Sequence, residues 1–177
     1  VKQISGGNTH GTRLWLKSEI ASENPAYVLA PQIPRPQLWG APDSEELAPY
    51  AEVLVELINQ IKSELLIDEN RIYIMGQSLG GIGVWDIIAK RPDIFAAGVP
   101  VCGAGNTDRI VNARNIALWA FHGAMDTTVP VAGSRNMVTS LEAAKGNIRY
   151  TEYPDVGHNS WERAFADPGL SQWLFSN

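Results

Sequence analysis

Residues 71–90 read RIYIMGQSLGGIGVWDIIAK, and this stretch decides the fold. Arg71 to Met75 is a short apolar run of strand character, and Leu79 to Lys90 is a helical run ended by Pro92. Between them, Gly76-Gln77-Ser78-Leu79-Gly80 fits the G-x-S-x-G turn between a strand and a helix. Such a turn forces its serine into strained backbone geometry and lifts the hydroxyl above the sheet. Glycines two before and two after the serine let strand and helix approach, and Gly81 and Gly83 bring the helix close to the sheet. The alternative is a glycine-rich turn with an incidental serine, which the surrounding strand and helix disfavour.

Outward from this turn, strands and helices alternate. Tyr27–Ala30, Ala97–Cys102, Ile116–Phe121 and Ile148–Tyr153 read as further strands. The residues Tyr50, Val53, Leu54, Leu57, Ile58, Ile61 and Leu65 recur at three and four, which predicts a helix with Pro49 in its first turn. Ser134–Ala144 reads as a helix with Gly146 just past its end, and Trp161–Phe165 and Leu170–Phe175 read as terminal helical pieces. Pro31–Pro42 reads as one irregular loop. Continuous apolar strands are covered on both faces, so the pattern predicts an α/β domain with a mostly parallel sheet and helices on both sides. The length of 177 residues predicts one domain, residues 1–177.

Composition narrows the partners. The net charge of −5 argues against nucleic acid, which needs a basic face. No apolar run approaches the ~20 residues of a membrane span. The one cysteine, Cys102, excludes an internal disulfide framework. The chain has neither an H-E-x-x-H sequence nor a Cys/His ligand pair, and no Gly-Lys-Ser/Thr follows the glycines, so neither a metal nor a cofactor is expected.

A serine hydroxyl needs a base within hydrogen-bond reach and a third group to orient that base. His10 lies in a polar stretch that reads as exposed, and His122 reads as a packed strand-end histidine. His158 follows the last strand, where α/β sheets place their chemistry, and is the expected base. Asp126, after Ile116–Phe121, is the expected orienting acid, with Asp108 as its competitor and Asp155 a poorer fit on the same loop as His158. The amide of Leu79 is the expected oxyanion donor. Gln77, beside the serine, and Trp161, three residues beyond His158, are candidate substrate contacts, with packing the competing reading for Trp161 as for Trp39 and Trp85. The chain order Ser78, Asp126, His158 is that of the α/β-hydrolases.

Three segments then carry a family resemblance: Gly76–Gly81, Phe121-His122-Gly123-Ala124-Met125-Asp126 with Val129-Pro130, and Gly157-His158-Asn159-Ser160-Trp161. With Tyr27–Gln32, they resemble the predicted-peptidase branch of the polyhydroxybutyrate depolymerase and feruloyl esterase group of α/β-hydrolases. The resemblance implies hydrolysis of small, aromatic or polysaccharide-linked carboxylic esters without a cofactor; the alternatives are a serine peptidase or polyester depolymerase on the same three residues, and a catalytically silent binding module of the same fold. It also implies that such proteins are often exported or fused to carbohydrate-active modules. In that family the sheet has eight strands, and the five read here correspond to the fourth through eighth. The third strand lies between the fourth and fifth, and the loop after it supplies a second oxyanion donor. The expectation is therefore that residues 1–177 are the C-terminal part of a catalytic domain whose first three strands lie upstream in the same gene product. On this reading Val1 to Trp15 forms the loop and helix entering the fourth strand.

Overall fold

The computed structural model describes residues 10–177, so residues 1–9 of the expected Val1–Trp15 entry segment lie outside it. Two short helices, α1 (His10–Leu14) and α2 (Ser18–Glu23), precede an irregular stretch that ends at α3 (Pro49–Glu64). Pro49 opens α3, where its missing N–H costs no hydrogen bond. One 3₁₀ turn, Glu69–Arg71, is started by the Asp68 carboxylate, which accepts from the Asn70 amide at 3.0 Å. Then come β1 (Tyr73–Gln77), α4 (Leu79–Lys90), β2 (Ala97–Val101), a second 3₁₀ turn (Ile110–Ala113), β3 (Ala117–Gly123), α5 (Ala132–Ala143), β4 (Ile148–Tyr153), α6 (Trp161–Ala164) and α7 (Leu170–Phe175).

The four strands form one parallel sheet in the order β1-β2-β3-β4, with Tyr73 opposite Ala97, Ala97 opposite Ala117 and Leu118 opposite Ile148. Every residue of β2 and β3 is buried. The period-two alternation of a strand sends their side chains to two separate cores. On one face Ile74, Leu118 and Ala120 pack with Val55 of α3, Trp85 and Ile88 of α4, and Met137 and Leu141 of α5. On the other, Val99, Val101, Trp119 and Phe121 pack with Leu14, Phe165, Leu170 and Leu174. Trp119 stacks on Phe121 at 4.8 Å and takes the edge of Trp173 at 5.4 Å. The doubly covered parallel sheet expected from the continuous apolar runs is therefore present.

One expected strand is not. Tyr27–Ala30 is irregular, with Tyr27, Val28 and Leu29 at 69%, 37% and 45% exposure. An apolar run becomes a strand only when a neighbour takes up its N–H and C=O groups. The edge strand β1 pairs with β2 alone among the described residues, and nothing in the sheet reaches residues 27–30. Four of the five expected strands are therefore present among the described residues.

The remaining differences are local. The strand read as Arg71–Met75 runs Tyr73–Gln77, because Asp68 holds residues 69–71 in the 3₁₀ turn. Helix α5 ends on Lys145, not Gly146, in the left-handed region (φ 57°), while the Gly146 amide donates back to the Leu141 carbonyl at 2.7 Å. The irregular loop is fastened to α4 by a buried ion pair. Lys90 Nζ donates to Asp86 Oδ2 at 2.9 Å and to the carbonyls of Ala41 and Glu46 at 2.8 and 2.7 Å. The Ala41 amide completes the knot by donating to Asp86 Oδ2 at 2.9 Å.

Candidate active site

The carboxyl ends of the parallel strands bring the expected residues to one place. Ser78 follows β1 and precedes α4 with φ 54° and ψ −117°, a backbone conformation that non-glycine residues avoid. Its amide donates to the Val101 carbonyl at 2.9 Å, which ties the turn to β2. Gly76 makes the turn possible, because a Cβ there would lie 2.3 Å from the Gly80 carbonyl oxygen. The expected symmetry is absent, since a Cβ at Gly80 would meet nothing. Gly81 does bring α4 onto the sheet, with the Val101 carbonyl 2.3 Å from its would-be Cβ, whereas Gly83 makes room for Trp39 instead.

Ser78 Oγ lies 2.8 Å from His158 Nε2, and His158 Nδ1 lies 2.7 Å from Asp126 Oδ2. The tautomer that serves both contacts carries its proton on Nδ1, so Nδ1–H donates to Asp126 and Nε2 accepts from the serine. Asp126 is 7% exposed, and its Oδ1 accepts from the amides of Thr128 and Val129 at 2.9 and 3.0 Å. Burial by itself favours the neutral acid and pushes the pKa of Asp126 up. The His158 hydrogen bond and the two loop amides outweigh this and hold the carboxyl below its ordinary range. Neither competing acid holds His158: Asp155 pairs both oxygens with Arg163 at 2.8 Å, and Asp108 is exposed, its backbone amide donating to Asn106 Oδ1 at 3.0 Å.

Leu79 opens α4, and the first amides of a helix have no intrahelical acceptor, so its N–H stands beside Ser78 as an available donor. Gln77 closes β1 opposite Val101 and is half-buried. Trp161 begins α6 and presents an edge-to-face contact to the His158 ring at 5.3 Å, so it packs on the imidazole. Trp39 packs against α4 at Gly83, and Trp85 is fully buried in the core. His10 is exposed at the start of α1.

Three neighbours of the relay were not legible in the sequence. Cys102 leaves β2 with φ 41°, and its sulfur lies within 4.8 Å of ligand atoms of both Asp126 and His158. Burial pushes its thiol up to about 11, against smaller opposing effects of the Ser78 amide and the Ser160 hydroxyl, so it stays protonated. Ser160 is wholly buried, as is Ser134, which lies 2.7 Å from His122. The position of Cys102 at a strand end was the available signal. Among the described residues, Cys102, Asp126 and His158 are also a donor set close enough to be compared with a metal site. They do not fit one: two ligands on a tetrahedral zinc sit about 3.4 Å apart, whereas Asp126 and His158 share a proton at 2.7 Å.

Comparisons with known proteins agree on the architecture. The family model described as the prolyl oligopeptidase family matches residues 51–120, a span that holds Ser78 but neither Asp126 nor His158. A solved thermostable esterase is 33% identical over 92% of this chain, with a TM-score of 0.88. The chain spans about half of that esterase, 47% of its length. A Pyrococcus horikoshii acylaminoacyl peptidase shares 16% identity over 73% of this chain and 27% of its own, with a TM-score of 0.61. A variant of Arabidopsis thaliana SOBER1 shares 17% identity over 94% of this chain and 90% of its own, with a TM-score of 0.63. No curated protein sequence matches the chain. With its parallel strands, its strained serine turn and these structural neighbours, the chain has the α/β-hydrolase fold from β1 onward.

Proposed function

We propose that the chain carries the catalytic residues of a serine hydrolase acting on carboxylic esters. The observation that supports it is the continuous relay Ser78–His158–Asp126, at 2.8 and 2.7 Å, on a serine held at positive φ. Ser78 Oγ attacks the ester carbonyl while His158 Nε2 takes its proton, and the imidazolium so formed is stabilised by Asp126. The tetrahedral oxyanion accepts from the Leu79 amide. His158 then protonates the departing alcohol, leaving an acyl group on Ser78. Water, deprotonated by His158, attacks that acyl carbonyl and releases the acid.

The 33% identity with a thermostable esterase favours esters over amides. Short-chain and aromatic acyl groups, free or linked to polysaccharide, are the substrate class we favour from the motif resemblance. A peptidase is the second reading, favoured by the prolyl oligopeptidase match across the serine turn. We further propose that residues 1–177 are the C-terminal part of one catalytic domain. A strand from an upstream segment would pair with the outer edge of β1, and its following loop would bring the second oxyanion donor.

The test is hydrolysis of p-nitrophenyl acetate, butyrate and ferulate beside a peptide anilide, with wild type and Ser78→Ala, and fluorophosphonate labelling of Ser78. Ester turnover lost in the variant is the expected result. Faster anilide turnover selects the peptidase. Labelling and turnover gained only with an upstream segment present support the completed sheet. A folded protein that neither labels nor turns over, with or without that segment, is a silent binding module and sinks the proposal.

A further inference from the structure

The relay leaves one buried titratable side chain unexplained. His122 is completely inaccessible near the end of β3, the strand that leads into the Asp126 loop. Its Nε2 faces two oxygens, the Val129 carbonyl at 3.0 Å and Asp126 Oδ2 at 3.2 Å. Both are acceptors, so this nitrogen must carry a proton. Its Nδ1 meets Ser134 Oγ of α5 at 2.7 Å, and that hydroxyl also lies 2.9 Å from the Gly103 carbonyl. Ser134 has one hydroxyl hydrogen and donates it to the Gly103 carbonyl, so its oxygen accepts from Nδ1–H, while Nε2–H faces the Val129 carbonyl and Asp126. The same oxygen of Asp126 that accepts from His158 at 2.7 Å therefore also faces a second imidazole N–H.

Resting on the serine-hydrolase reading above, we infer that His122 is a positioning residue for Asp126. Through one proton it holds the carboxylate and the Val129 end of the acid loop, and it takes a share of the negative charge that Asp126 presents to His158. The two donors are unequal. His158 has the shorter bond, and His122 divides its proton between Asp126 and a backbone carbonyl. The groups facing His158 are Ser78, Asp126, Cys102 and Trp161. Those facing His122 are Ser134, Asp126 and the Val129 carbonyl, with Glu152 of β4 opposite it in register. Glu152 is tied to Arg135 and Tyr150. Without the His122 donor, the full charge of Asp126 falls on His158. An opposite charge favours the imidazolium, so the acidic limb of kcat/KM moves to higher pH.

Two side chains separate this role from packing. Glutamine can place its Nε2 where the histidine Nε2 sits, whereas asparagine reaches only to the Nδ1 position. His122→Asn is expected to lower kcat roughly tenfold with KM little changed, and to move the acidic limb upward. His122→Gln should restore both. An independent reading needs no variant: proton–nitrogen correlation spectra of histidine-labelled wild type should find His122 Nε2 protonated. An unprotonated Nε2 overturns the inference, as do folded Asn and Gln variants that both keep the wild-type limb. If the Asn variant does not fold, the wild-type spectrum decides. Failure of the underlying reading looks different, because Ser78→Ala would then equal wild type while the His122 proton stayed in place.

Discussion

At the scale of the residue, the site depends on which atom holds which proton. Asp126 accepts from four donors: two loop amides on Oδ1 and two imidazoles on Oδ2. Asp126→Asn keeps the shape of the side chain but can turn an NH₂ toward His158. The histidine then presents its lone pair to Asp126 and its N–H to Ser78, the wrong tautomer for a base. Turnover should fall by about 10⁴-fold with little loss of fold, as in the serine proteases where this exchange defines the acid's role. Steady-state kcat beside a thermal melt checks both halves. The identity of the acid could be read from its place after a strand, but its fourfold coordination could not. His122 is only four residues away and reads equally well as ordinary packing until the turn at 123–126 folds it back.

At the scale of the element, the buried pair Asp86–Lys90 fastens the 41–46 segment to α4. Both side chains are nearly inaccessible, at 1% and 5% exposure. Removing one partner of a buried pair costs about 3–5 kcal/mol, because the other is left charged and dry. Lys90→Met should therefore lower the urea midpoint by that equivalent, while a change at the exposed pair Arg91–Asp93 should move it by less than about 1 kcal/mol. The burial of Asp86 and Lys90 under a proline-rich loop is decided by the tertiary structure. Strands are decided at both levels. The runs Ala97–Cys102 and Ile116–Phe121 were legible because they are apolar, and each finds a neighbour on both sides as β2 and β3. Tyr27–Ala30 has the same apolar character and remains irregular, because a strand is a property of a pair of chains rather than of one.

At the scale of the whole molecule, acid should unfold the protein through its paired carboxylates. Asp126 is held below its ordinary value of 3.8 chiefly by His158 against the opposing effect of burial, and Glu152 below 4.5 first by Arg135. A carboxyl whose folded value is depressed contributes stability that is fully present above the unfolded value and is lost as pH falls through the folded one. Melting temperature should thus be nearly flat from neutral pH to about pH 5 and fall below about pH 4. Asp126 should carry more of the fall than the exposed pairs, which solvent screens. Asp126→Asn should therefore flatten the acid limb of the melting curve, and a variant limb as steep as wild type would contradict this assignment.

Local sequence was enough to determine the alternation of elements, the serine turn and the chain order of serine, acid and histidine. Periodicity, turn glycines and strand-end positions are properties of a few neighbouring residues. Tertiary structure alone decided the rest. It set which apolar run found a strand to pair with, which glycine met a backbone, and which side chains closed around Asp126. Those outcomes depend on distances between segments far apart in the chain, such as the 2.7 Å from Asp126 to His158 and the 2.7 Å from His122 to Ser134, and close approach of that kind exists only once the sheet has formed.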